Sequence, residues 1–262
     1  MLTLLLIGFL AVITVMLLLW LLGLKQHNFS YVDIGWSANF ALLAISYGAL
    51  GNGYPLRRVL ICGMFAIWGM RLALHLAARI IGEPEEGRYV QLRKEWGEKG
   101  NVNLKFLGFF QFQAVLNIVL GLPMLFAVSN AATQLQVSEI SGAMVWLIGV
   151  CGESIADAQL KRFKSSAANK GKVCDVGLWG WSRHPNYFFE WTIWIGYALF
   201  ALASPYGWLC LALPLLMLHF LLNVTGVKAT EEQALRSKGE AYRHYQQTVS
   251  RFIPLPPKQA HQ

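Results

Sequence analysis

The sequence predicts an all-α integral membrane protein of seven transmembrane helices with short cytoplasmic amphipathic helices, its N-terminus outside and its C-terminus cytoplasmic. Three observations predict it. Of 262 residues 55% are hydrophobic and only 14% charged, and the charge is confined to short windows, which is the profile of a membrane chain. Apolar stretches long enough to cross a hydrocarbon core of about 30 Å recur along its length. Nearly every Lys and Arg falls in alternate loops, which orients the whole.

The spans are read at 2–24, 31–50, 57–80, 106–129, 139–160, 187–203 and 206–226, so residues 1–262 form a single membrane domain, with a cytoplasmic C-terminal helix over 228–246. The first span has no basic residue before it and Lys25 directly after it. That is the reverse of a secretory signal, and the span is expected to stay in the mature protein. The second opens "YVDIGWSANF", with Asp33, Trp36 and Asn39 at spacings of three. They are either a helix-start carboxylate with an interfacial tryptophan or a polar lining. In the third, "WGMRLALHLAARI" sets Arg71, His75 and Arg79 on one stripe. Arg79 can snorkel to the interface, whereas Arg71 is too deep and needs either an ion pair with Asp33 or a cavity.

The fourth span carries Gln111, Gln113 and Asn117, which suit hydrogen bonding between helices. The fifth ends "GESIADAQLKRFK", placing Glu153, Asp157, Lys161 and Lys164 on one face. Pairing along the helix accounts for the outer half, but Glu153 lies about two turns inside and calls for a cavity. The sixth begins "RHPNYFFEW": Pro185 suits a first turn, Asn186 and Glu190 are one turn apart, and Arg183 and His184 precede them. Free first-turn N–H groups beside two basic residues make a phosphate or carboxylate site. His219 in the last span is expected to be packed in the core.

The inner loops are 25–30, 81–105 and 161–186, plus the chain after 227; the outer ones hold only Arg57 and Arg58. A net charge of +8, gathered on one face, attracts anionic lipid headgroups or an anionic ligand such as a nucleotide. "GEPEEGRYVQLRKEWGEKG" is too charged for lipid and spaces Tyr89, Leu92 and Trp96 as an amphipathic surface helix. "GVKATEEQALRSKGEAYRHYQQTVSRFIPLPPK" is a second, with Glu231 and Glu232 near its start and Tyr242 and Tyr245 near its end. Both are placed to lid a cavity. Cys62, Cys151, Cys174 and Cys210 have neither metal-ligand nor disulfide spacing, so no metal is expected. There is no nucleic-acid motif.

Taken together, "GLWGWSRHPNYFFEWTIWIGYAL", "DAQLKRFK" and "EAYRHYQQTVSRFIPLPP" resemble the steroid 5α-reductase superfamily, and within it the bacterial branch formerly catalogued as a domain of unknown function. "FSYVDIGWS" and "EEGRYVQLRKEWG" extend the resemblance. It implies a seven-helix bundle with a cofactor cavity open to the cytoplasm, an NADPH cofactor, and reduction of a carbon–carbon double bond conjugated to a carbonyl. It implies that Glu153, Asp157, Lys161 and Lys164 line the cofactor pocket, that Asn186, Tyr187 and Glu190 contact the cofactor, and that Glu231 and Tyr242 belong to a covering segment. Trp68 stands where eukaryotic members carry a substrate-facing tyrosine, and Asp33 is the positional counterpart of the family's second-span glutamate.

Enone reduction needs a donor at the carbonyl, where negative charge develops, and cations for the cofactor phosphates. Lys161, Lys164, Arg183 and His184 are expected for the second task, and Asp33 with His75 or Tyr89 for the first. The absence of a GxGxxG after a strand excludes a Rossmann site. The partners expected are a lipophilic substrate, steroid-like or isoprenoid-like, and membrane lipid, with the chain a monomer in a bacterial inner membrane. Two rivals remain. "RHPNY" followed by "EEQALRSKGEAYRHY" is also similar to isoprenylcysteine carboxyl methyltransferases, which use S-adenosylmethionine. The third reading is a non-enzymatic transport or lipid-binding scaffold using Arg71 and Glu153.

Overall fold

The computed structural model describes residues 1–98, 100–224 and 226–258. The chain is all-helical, 78% of it in helix, and among the described residues there is no strand. Among the described residues five helices are long and apolar enough to cross a membrane: Leu2–Gln26, Pro55–Ile80, Val102–Leu120, Val137–Ser165 and Gly207–Lys238, whose apolar part precedes a charged end. The chain divides into two compact units, one of Met1–Gln136 with Ala201–Gly207, the other of Val137–Phe200 with Trp208–Gln262.

The first unit contains α1 (Leu2–Gln26), α2 (Tyr31–Leu50), α3 (Pro55–Ile80), α4 (Gly87–Gly97), α5 (Val102–Leu120) and α6 (Leu122–Val128). Small residues let α1 and α2 approach: a Cβ at Gly8 would collide with Tyr47 and one at Gly35 with Leu19. Without a hydrophobic drive between helices in lipid, such close backbone contact is what holds them. Trp36, Phe40, Phe65 and Trp68 fill the α2–α3 seam, with Trp36 edge-on to Phe40 at 5.1 Å between ring centroids. The span expected over 106–129 is instead two helices, α5 and α6, because Pro123 has no N–H for a continuous ladder and its ring crowds the preceding turn. Every α6 residue from Pro123 to Val128 is buried.

In the second unit α7 (Val137–Ser165) packs on α8 (Pro185–Ala201) along Gly142, Gly149 and Gly152. A Cβ at Gly142 would lie 2.5 Å from the backbone nitrogen of Phe200, and one at Gly149 would lie 2.6 Å from Ile193 Cγ1. After α9 (Ala212–His219), one wide turn over Phe220–Val224 carries the chain towards α10 (Val227–Lys238) and α11 (Glu240–Thr248). His219 is exposed and faces Asn223 at 3.3 Å, rather than being packed in a core. The single C-terminal helix expected over 228–246 is broken at Gly239, whose φ of 53° belongs to the left-handed region that glycine enters freely.

Candidate functional site

In the first unit, the start of α2 and the segment leading into α4 are bound together. Glu85 accepts from the Phe29 amide at 2.7 Å and holds Arg93 by two hydrogen bonds of 2.8 and 3.0 Å. The Arg93 guanidinium lies over the Phe29 ring, so the salt bridge is shielded on one side by an aromatic face. Ser30 Oγ accepts from the Glu86 amide and Asn28 donates to Glu83 O. This clamp brings Tyr89, which is buried, to Asp33: Tyr89 Oη donates to Asp33 Oδ1 at 2.8 Å, while Arg88 pairs with Asp33 Oδ2. Burial, the Asp33 charge and the hydrogen bond to it raise the Tyr89 phenol well above its ordinary value, and Arg88 opposes them. The proton therefore stays on Tyr89 at neutral pH.

Deeper along α2, Asn39 donates to Asn117 Oδ1 and Asn117 donates to Trp36 O, at 3.0 and 2.9 Å. Trp36 Nε1, Asn39 Oδ1 and Gln111 Oε1 are buried without a hydrogen-bond partner among the described residues. Unsatisfied polar atoms inside a span are costly unless a ligand or water meets them. Of the three acid candidates, Asp33 and Tyr89 are thus joined, whereas His75 is exposed on α3 and outside this group.

In the second unit the α8 start is wrapped by the C-terminal segment. Ser182 Oγ donates to Phe252 O at 2.8 Å, Arg183 N to Ser250 O at 2.8 Å, and Tyr245 Oη to Trp179 O at 2.5 Å. Phe252 packs edge-on against Phe188 of α8. Arg183 Nε donates to Glu231 Oε1 at 2.7 Å, and Arg183 Nη1 donates to the carbonyls of Gln246 and Val249. His184 Nε2 is 3.3 Å from the same Glu231 oxygen, and Gln246 Nε2 donates to the other at 3.1 Å. Burial alone would raise the Glu231 carboxyl, but the hydrogen bonds from His184 and Arg183, and their charges, hold it at about 2. Tyr242 is pushed up to about 12 by burial and by the neighbouring Glu231 charge.

Arg183 and His184, which precede α8, hold the protein's own Glu231 carboxylate through their side chains. Arg183 and His184 are buried beneath it, with the Arg183 Nε and Nη1 donors already used. Sequence reasoning named Arg183, His184, Glu231 and Tyr242, and the fold brings all four together.

The remaining predicted residues lie on α7 and α8. Gly152 sits against Phe189, so their sequence neighbours Glu153 and Glu190 are at the same depth of the α7–α8 pair. Glu153 is buried, and Asp157 and Glu190 are half-buried. Lys161 and Lys164 are exposed beyond them, at the end of the helix. Asn186 keeps a buried Oδ1 without a hydrogen-bond partner among the described residues, and the ring of Tyr187 stacks on His184 at 5.6 Å. Arg88, Glu85 and Gln246 were not singled out by the sequence. The signal for Arg88 was its place beside Tyr89 in "EEGRY".

A family model described as "Protein of unknown function (DUF1295)" matches residues 19–249 of the chain. No curated protein and no solved structure matches it.

Proposed function

We infer that this chain, which belongs to the DUF1295 family of proteins of unknown function, is a membrane NADPH-dependent reductase of a carbon–carbon double bond conjugated to a carbonyl in a lipophilic substrate. The reading follows the resemblance to the steroid 5α-reductase superfamily. In it α2 and α8 complete seven crossings, with the N-terminus outside, the C-terminus in the cytoplasm and the bacterial inner membrane as the site. The basic loops on one side support that orientation.

The observation that carries the reading is the buried Tyr89 phenol donating to Asp33. A carbonyl oxygen that takes the place of the Asp33 acceptor receives that hydrogen bond as its charge develops, and Asp33 remains neutralised by Arg88. The buried Tyr89 phenol keeps its proton throughout, because neighbouring Asp33 disfavours a second negative charge. NADPH, when bound, supplies the hydride for the β-carbon; the α-carbon takes a proton from water.

The residues of the second unit fit such a cofactor. Lys161 and Lys164, exposed at the end of α7, are the cations for its phosphates, and the orphan Asn186 Oδ1 is an acceptor for an amide or hydroxyl. Glu231 holds Arg183 and His184, which makes them supports of the covering segment rather than phosphate ligands.

The test is NADPH oxidation by purified protein in the presence of a panel of lipophilic enones. Tyr89→Phe should lower kcat by about 10²-fold with KM little changed, as expected for loss of a donor felt mainly in the transition state. Equal kcat in the two proteins would refute the role of Tyr89, and enone-independent consumption of S-adenosylmethionine would refute the reductase.

A further inference from the structure

At the turn between α2 and α3 the chain leaves a pocket of about 310 Å³, lined among others by Ile45, Gly48, Arg58, Val59 and Cys62. Its wall is almost wholly apolar apart from one cation. Gly48 keeps it open: a Cβ there would lie 3.2 Å from Cys62 Sγ, so the glycine leaves both space and a bare carbonyl. Arg58 Nη2 donates to that carbonyl at 2.5 Å, in the last turn of α2, where helix carbonyls lack partners and carry partial negative charge.

That contact leaves the guanidinium incompletely served. Among the described residues Arg58 Nε is buried with no hydrogen-bond partner, and no carboxylate pairs with the side chain. Its neighbour Arg57 differs, being fully buried and donating to the carbonyls of Asn130, Ala132 and Gln134. A cation held in an apolar wall without a counter-ion costs free energy that an anion would recover. Ile45 and Val59, each 69% exposed, flank it on the outer surface of α2 and α3, α3 being long and apolar enough to cross the membrane. What meets such a face is an acyl chain.

We propose that this pocket binds an anionic phospholipid, its phosphate paired with Arg58 at the α2–α3 turn and its acyl chain lying against Ile45 and Val59. A free phosphate would gain one cation but nothing from the apolar wall. The site is independent of the reductase reading.

The test uses the full chain in nanodiscs of phosphatidylcholine doped with phosphatidylglycerol, released into mild detergent and weighed by native mass spectrometry. The wild type should retain phosphatidylglycerol in preference to phosphatidylcholine, and Arg58→Gln should lower that retention about tenfold, the loss of one charge-assisted hydrogen bond. Arg58→Lys should recover part of it. Ile45→Trp, which fills the pocket and leaves Arg58 in place, should also lower it, and carries the test if Arg58→Gln fails to fold. Equal retention of the two lipids by the wild type, or wild-type retention in Arg58→Gln or in Ile45→Trp, would overturn the proposal. So would displacement of the lipid by inorganic phosphate alone.

Discussion

Replacing Glu231 by Gln should loosen the C-terminal wrap around the start of α8. The carboxylate accepts from Arg183, His184 and Gln246 at 2.7, 3.3 and 3.1 Å. Its carboxyl is held at about 2 against an ordinary 4.5, which at ~1.4 kcal/mol per tenfold corresponds to at most about 3.5 kcal/mol. The Glu231 side chain is 13% exposed, so solvent screening trims this to about 2 kcal/mol, still a large fraction of a marginal stability. Because the folded value lies below the unfolded one, the stabilisation is fully present above pH 4.5 and is lost as pH falls from 4.5 towards 2. Hydrogen exchange read by mass spectrometry checks this at the amides of Arg183 and Leu255, which donate to Ser250 O and Trp181 O. Glu231→Gln should speed their exchange by about 30-fold at pH 7, the equivalent of 2 kcal/mol. The exposed Glu232→Gln should leave them unchanged. Unaltered protection in Glu231→Gln would refute the reasoning that this carboxylate locks the segment.

Two further outcomes follow from packing and from the α4 clamp. Gly149→Leu should destabilise the α7–α8 pair by about 3 kcal/mol, since even its Cβ meets Ile193 at 2.6 Å; Gly63→Leu, with open space at its Cβ, should leave thermal unfolding in detergent unchanged. Glu85→Ala should leave the Phe29 amide and Arg93 without their carboxylate, at about 2 kcal/mol. Limited proteolysis should then nick the 81–97 segment faster than in the wild type.

The sequence revealed most where the physics is local. Five long apolar helices followed from hydropathy, and the α4 helix from the spacing of Tyr89, Leu92 and Trp96. Asp33 and Tyr89 were each named, but their hydrogen bond crosses 56 residues, and periodicity has no access to such a distance. Arg88 was passed over because one basic residue in a charged loop looks like any headgroup contact. Arg183 and His184 before α8 were each named, but their partner Glu231 comes from 47 residues beyond His184, out of reach of any spacing rule. The break at Gly239 was hidden because an isolated glycine in a helical pattern is ordinarily tolerated. Pro123, by contrast, was a visible signal, overridden by the apolar run around it.

The claim that the chain is an NADPH-dependent enzyme is tested most directly by thermal unfolding of the detergent-purified protein with NADPH, with S-adenosylmethionine and with neither. NADPH should raise the midpoint in the wild type, since a ligand binding only the native state stabilises it, and the rise should shrink in Lys161→Ala and Lys164→Ala. A rise with S-adenosylmethionine alone, or none with either ligand, would contradict it.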